Sequence, residues 1–220
     1  MRTVVFDLDG TLADTSADLL AAANVFFTDL GHGAVLDQRD ALTAFQGGRA
    51  MLRLGYSRLG GRWSEGDIAD AFPRFLDAYA QNIDTQTRLY PGAVDAIKAV
   101  LEAGFATAIC TNKPEALAET LTQRLGIRGL FGALVGADTL AVRKPDPAPY
   151  LEALRRVGGD LRRSFLLGDT ETDAKTARAA AVPVALVTFG PEGQGVRRLA
   201  PDALLHHFDA LPALAAQLCG

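Results

Sequence analysis

Apolar positions along the chain follow two spacings, and the change from one to the other divides it. Val4-Val5-Phe6 is a short continuous apolar run that meets an acid at Asp7, the pattern of a buried strand. Helical spacing then takes over. Asp14 to Ser16 supplies N-cap chemistry ahead of Leu19, Ala23, Phe26, Phe27 and Leu30 on an inward face, and Gly31-His32-Gly33 ends that helix. Further helices are predicted over roughly 38–45, from Gly48-Arg49, and from Glu65, where Ile68, Phe72, Phe75, Leu76 and Tyr79 share a face. Pro73 inside the last pattern predicts a kink or a late start. No alternating strand pattern stands out between residues 14 and 86, so this block reads as a small helical domain inserted after the first strand.

Beyond it the pattern becomes regular. A helix with Val94, Ile97 and Leu101 inward precedes a strand over Phe105–Cys110, and a helix with Leu117, Leu121 and Leu125 follows. A short strand near Ala133–Val135, a helix over roughly 148–157 and a strand at Ser164–Leu167 come next. They lead to a helix over roughly 172–180, a strand at Val184–Val187, a weak strand near Ala203–Leu205 and a final helix. Strands alternating with helices of this length predict an α/β fold, a parallel sheet with helices on both faces.

Composition narrows the class. With 220 residues, 49% hydrophobic and 22% charged, the chain can bury a sizeable core and carry an insertion. A net charge of -4 and a pI near 5.4 argue against a nucleic-acid or membrane-surface binder. No run approaches the ~20 apolar residues of a membrane span. Asp7 interrupts the opening apolar run, so no signal peptide is expected and the expected compartment is cytoplasmic. Cys110, in an apolar run, and Cys219, at the tail, have no disulfide or metal-ligand spacing. Cys110 reads as a small buried hydrophobe.

The chemistry collects where strands end. Residues i and i+2 of a strand share a face, so Asp7 and Asp9 can share one site, with Gly10 releasing the chain into a turn that Thr11 can tie down. Thr111-Asn112 follows the second sheet strand, Lys144 follows the short one, and Asp169 to Asp173 follows Ser164–Leu167. Parallel strands bring their C-terminal ends to one edge, where open α/β sheets bind ligands. A nucleophilic carboxylate, a second for proton transfer, a hydroxyl, an ammonium and further acids for a hard cation could therefore converge.

Asp7-Leu8-Asp9-Gly10-Thr11, Thr111, Lys144 and Gly168-Asp169 through Asp173 stand in the order of the four motifs of the haloacid dehalogenase-like superfamily. The chain closely resembles the phosphatase branch of that superfamily, in particular its phosphoglycolate phosphatase-like members. The resemblance implies a Rossmann-like core over residues 1–13 and 87–220 and an inserted all-helical cap domain over 14–86. It implies Mg²⁺-dependent hydrolysis of a small phosphate monoester, phosphoglycolate first, through an aspartyl-phosphate on Asp7, with Asp9 as general acid and then base. Thr111, Asn112 and Lys144 are expected to hold the phosphoryl group, helped by backbone N–H groups around Leu8-Asp9-Gly10. Asp7, Asp169, the Asp9 carbonyl and, through water or as an anchor, Asp173 are expected around the metal.

Other residues carry weaker expectations. Arg49, after Gln46-Gly47-Gly48, is either a reader of the leaving group in the cap or a surface arginine at a turn. Lys113 is expected to face solvent, Glu171 to be a solvated acid, and His32, His206 and His207 to lie at the surface. A phosphosugar mutase of the same superfamily, or a catalytically silent relative that binds phosphorylated metabolites, would use the same residues. The expected partner is a small-molecule phosphate monoester, with neither nucleic acid nor membrane, and the chain as monomer or homodimer.

Overall fold

The computed structural model describes residues 1–220, which form two compact units, Met1–Asp14 with Leu89–Gly220 and Thr15–Arg88. In the first, β1 (Thr3–Phe6) and β2 (Ala13–Asp14) precede the insertion. After it come β3 (Arg88–Leu89), α5 (Ala93–Glu102), β4 (Ala106–Cys110), α6 (Glu115–Arg124), β5 (Ala133–Val135) and α7 (Ala148–Arg156). The chain closes with β6 (Ser164–Gly168), α8 (Glu171–Ala179), β7 (Val184–Val187), β8 (Ala203–Leu205) and α9 (Leu211–Leu218). The insertion carries α1 (Ser16–Asp29), α2 (Ala41–Ala44), α3 (Gly48–Leu59) and α4 (Glu65–Gln81).

Six strands form one parallel sheet in the order β5-β4-β1-β6-β7-β8. The chain leaves β1 to build one half through β4 and β5, then returns to β1's other side at β6. The first strand is thus central, and its C-terminal end lies at the reversal where α/β sheets form their crevice. Period-2 alternation sorts the strand side chains. Val5, Ala108, Cys110, Val135, Leu166 and Leu186 share a buried cluster with Tyr150, Ala153 and Leu154 of α7 and Ala177 of α8. On α5 the buried face is Ala93, Ala96, Ile97 and Val100, so the predicted Val94 and Leu101 are only half-buried. The apolar run there is wide enough to fit two helical phases, and packing selects one. The two-residue strands β2 and β3 pair with each other and lack the length to leave a sequence pattern.

In the helical unit, α1 buries Leu19, Leu20, Ala23, Phe26 and Phe27, α3 buries Met51 and Leu52, and α4 buries Ile68, Phe75 and Tyr79. A Cβ at Gly55 would stand 2.2 Å from the Phe27 ring, so α1 and α3 approach as closely as they do only over a glycine. Leu30, predicted inward, is 43% exposed because α1 stops at Asp29. Ser64 and Asp67 form a reciprocal capping box, and α4 continues through Pro73 to Gln81. Thr87 belongs with this unit. Its N–H and hydroxyl both donate to the buried Asp18 carboxylate of α1, at 2.8 and 2.9 Å. No helix of the chain is long and apolar enough to cross a membrane.

Candidate active site

The end of β1 is fixed by backbone bonds on both sides of the acid pair. Asp7 N–H donates to Leu167 O at 2.9 Å, carrying the β1–β6 ladder one residue past the strand. Leu12 N–H then donates to Leu8 O and Gly10 N–H to Ala13 O, closing a turn in which Gly10 has φ 81°. Of the backbone N–H groups around Leu8-Asp9-Gly10 expected to help hold a phosphoryl group, that of Gly10 is bonded within the turn. A Cβ at Gly190 would lie 2.6 Å from Gly10 O and 3.4 Å from Asp169 Cβ, so the segment after β7 presses directly on this turn.

At the end of β6, Asp169 and Asp173 are fully buried and bonded differently. Thr11 Oγ1 donates to Asp169 Oδ1 at 2.9 Å, so the hydroxyl that ties down the first turn does so across to another strand. Asp173 Oδ2 accepts from the N–H groups of Asp169 and Thr170 and from the Thr170 hydroxyl. It thereby caps α8, while Lys144 Nζ donates to its other oxygen at 2.7 Å. A Cβ at Gly168 would strike Asp173 at 2.4 Å, which explains a glycine as the last residue of β6. Both oxygens of Asp173 are thus engaged by the chain.

Two lysines serve the acids of β1. Lys144, 2% exposed at its side chain, lies 2.9 Å from Asp7 Oδ1 and 2.7 Å from Asp173 Oδ1. Lys113 was expected to face solvent. It is instead buried, 4% exposed, with Nζ 3.0 Å from Asp9 Oδ1. Its backbone holds it there, since its N–H donates to Thr111 Oγ1 and its carbonyl accepts from Ala137 N–H. Because the Thr111 oxygen accepts that bond, its own proton is left to point elsewhere. Asn112, exposed, donates from Nδ2 to Lys144 O at 2.9 Å and links the two lysine loops. Sequence reasoning missed Lys113; its one signal was that it follows directly on Thr111-Asn112.

Electrostatically the cluster carries an excess of negative charge. Burial pushes the Asp7 carboxyl up to about 7, with Lys144 opposing and Asp173 and Asp9 adding to the rise. Burial, then Asp173 and Asp7, push Asp169 well above the ordinary carboxylate range. Burial alone would lower the Lys144 ammonium, but Asp173 and Asp7 overcome it and hold it raised. Asp7 Oδ1 is met by the Lys144 ammonium, whereas the buried Asp169 Oδ2 has no hydrogen-bond donor. Carboxylate oxygens of Asp7, Asp169 and Asp173 lie within 4.8 Å of one another. Asp7, Asp9, Asp169 and Asp173 against Lys113 and Lys144 leave a formal charge of two negative units, which one divalent cation balances. An all-oxygen donor set that includes the unpartnered Asp169 Oδ2 fits a hard cation such as Mg²⁺.

The remaining residues lie elsewhere. Glu171 is exposed and pairs with Lys175 at 3.1 Å. His32, His206 and His207 are exposed. Cys110 is fully buried and burial pushes its thiol up to about 12, as suits a packing residue. Within the helical unit, half-buried Arg49 places its guanidinium 4.3 Å from the centre of the Phe72 ring.

Residues 4–187 match the family model described as haloacid dehalogenase-like hydrolase. A phosphoglycolate phosphatase of Mesorhizobium japonicum is 40% identical over 214 residues, covering 97% of this chain and 94% of that protein. The crystal structure of a predicted phosphoglycolate phosphatase from Haemophilus somnus superposes with a TM-score of 0.85 at 22% identity, covering 97% of each chain. That of CbbY from Rhodobacter sphaeroides in complex with phosphate gives 0.77 at 25% identity, covering 96% of each.

Proposed function

The chain belongs to the haloacid dehalogenase-like hydrolase family and is a phosphatase of it, and on that premise we propose that it hydrolyses a small phosphate monoester, phosphoglycolate first, with Mg²⁺. The observation that carries the reading is the convergence at one sheet edge of Asp7, Asp169 and Asp173 around Lys144, with the buried Asp169 Oδ2 left without a donor. Asp7 and Asp169 would hold the ion directly, with the Asp9 carbonyl, and Asp173 would act on it through water or by holding its neighbours. When bound, Mg²⁺ supplies positive charge that offsets repulsion between a carboxylate and a phosphate dianion.

The chain's own residues do the rest. Asp7 attacks phosphorus, and the ester oxygen leaves as an aspartyl-phosphate forms. Asp9 gives that oxygen a proton, then takes one from the water that cleaves the acyl phosphate. Lys144 and the Thr111 hydroxyl, with Asn112 beside them, hold the phosphoryl oxygens where charge develops. Lys144 is already fixed by two acids, so little rearrangement is needed to present its charge. Arg49 of the helical unit, whose guanidinium carbon lies over the Phe72 ring, is the proposed specificity residue.

The test is phosphate release from a panel of phosphomonoesters, with and without Mg²⁺, by the wild type and Asp7→Asn. Metal-dependent release that the variant loses is expected, with phosphoglycolate preferred. Release that survives in Asp7→Asn would overturn the mechanism.

A further inference from the structure

Only four lysines occur in the chain; Lys98 and Lys175 are exposed, and the other two are buried at the acids that follow β1. Lys144 meets Asp7 and Lys113 meets Asp9, so each carboxylate of the pair has its own ammonium. The first arrangement belongs to the phosphoryl site. The second has no part in the chemistry described so far, and it concerns the acid that must reach the leaving oxygen.

We propose that Lys113 is a positioning residue that fixes the Asp9 carboxylate for proton transfer to the leaving group, an inference that rests on the phosphatase reading. Asp9 needs such a restraint. It lies beyond the last residue of β1 in the turn closed by Gly10 and Ala13, its side chain is 19% exposed, and Lys113 Nζ meets its Oδ1 at 3.0 Å. General acid–base transfer requires the acid within hydrogen-bond reach of the oxygen it protonates, and small displacements are costly.

Lys113 is built to supply the restraint. An unbound lysine stem has many rotamers, but this one is buried and starts from a backbone held at its N–H by Thr111 and at its carbonyl by Ala137. A Cβ at Gly136 would meet the backbone of Glu115 at 2.5 Å, so the segment after β5 packs tightly against the start of α6 and stiffens the same loop. The ammonium is therefore a fixed charge 3.0 Å from Asp9 Oδ1, delivered from the loop that also carries the phosphoryl-binding hydroxyl. Phosphoryl binding and proton transfer are held in register through Thr111 and Lys113 together.

Leaving-group dependence tests this. A phenolate leaves without a proton, whereas an alkoxide needs one. We compare kcat/KM of wild type, Lys113→Met, Lys113→Arg and Asp9→Asn on p-nitrophenyl phosphate, on phosphoglycolate and on the uncharged-tail ester ethyl phosphate. Lys113→Met is expected to lose about 10- to 100-fold on both alkyl esters and less than about threefold on the aryl ester, the signature expected of Asp9→Asn in weaker form. Lys113→Arg should recover part of the loss. Combining Lys113→Met with Asp9→Asn should add little to Asp9→Asn alone, because both act through one carboxylate. Equal losses on aryl and alkyl esters overturn the proposal in favour of a structural or phosphoryl-binding role. A loss confined to phosphoglycolate overturns it in favour of direct reading of the substrate carboxylate. If Asp9→Asn itself keeps full alkyl-ester turnover, Asp9 is not the acid and the proposal fails while the phosphatase reading stands. If the wild type releases no phosphate, the phosphatase reading fails, so the two failures are told apart.

Discussion

Exposed ion pairs of the helical unit and buried ones at the sheet edge have the same lengths and opposite meanings. In the helical unit Arg53 meets Glu65 at 2.6 Å, Arg39 meets Asp37 at 2.6 Å and Arg74 meets Asp29 at 3.1 Å, with every partner 43% exposed or more. At the sheet edge Lys144 meets Asp173 at 2.7 Å and Asp7 at 2.9 Å, and no partner exceeds 11%. Distance does not separate the groups; solvent does. Water screens the first set and competes for its partners, while the second sits where charge interacts strongly and desolvation is costly. Most charge of the helical unit is of the first kind, the exceptions being the buried Asp40 held by Arg58 and the buried Asp18. The sheet edge concentrates uncompensated charge at a cost to folding, and such sites are where chemistry is found.

The sharpest way to break this contrast is Asp7→Asn. Turnover should fall by about 10³-fold or more, since the nucleophile is gone. The thermal midpoint should stay level or rise, because a buried carboxylate pushed up to about 7 has been removed. A variant that is both active and less stable would reverse the assignment of the site. Next in size is Lys144→Met, which strands Asp7 and Asp173 in a dry environment. Breaking a buried pair this way costs about 3–5 kcal/mol, to be read by urea unfolding.

Much of this edge was legible from the sequence, and the reasons are local. Asp7 and Asp9 follow a continuous apolar run, and the i, i+2 spacing puts them together whatever the rest of the chain does. Asp169, Lys144 and Thr111 each follow a strand whose apolar run is plain, and a parallel sheet gathers strand ends. What stayed hidden was the pairing between loops. Lys113 reads as a solvent-facing residue before Pro114, and only the meeting of its loop with Ala137 and with Asp9 buries it. Likewise Thr11 signalled a turn, but its partner Asp169 is 158 residues away. In Asp173, a helix-capping acid and a lysine anchor are the same residue, and local pattern gives only the first.

Solution conditions sharpen the comparison further. The folded carboxyl of Asp7 sits near 7 against an ordinary 3.8, so the folded protein holds that proton more tightly than the unfolded chain. Its contribution to stability is therefore present below about pH 4 and lost as pH rises through about 7. In chelator, the thermal midpoint should fall between about pH 4 and about pH 7 and level off above, and Mg²⁺ should flatten that decline by favouring the ionised form. An identical pH profile with and without Mg²⁺ would remove Asp7 from the metal site. Smaller still is Gly55→Ala, whose new methyl would meet the Phe27 ring at 2.2 Å. Phe27 is fully buried among Phe26 and Tyr56, so the helices must move apart, at about 1–3 kcal/mol. That loss should come with little change in kcat on an aryl phosphate.

The smallest expected effect is the most direct comparison. Arg53→Ala removes an ion pair of 2.6 Å that forms two hydrogen bonds to Glu65, better geometry than any single contact of Lys144. Were geometry decisive, this substitution would cost more than Lys144→Met. Its partners are 43% and 65% exposed, so each regains water when the other leaves, and the long arginine chain recovers its rotamers. No resolvable change in thermal midpoint is expected, in low salt or high. Lys144→Met regains neither water nor a second partner for Asp173, which has no exposed side-chain surface. A midpoint drop for Arg53→Ala matching that of Lys144→Met would mean that burial is not what distinguishes the two pairs.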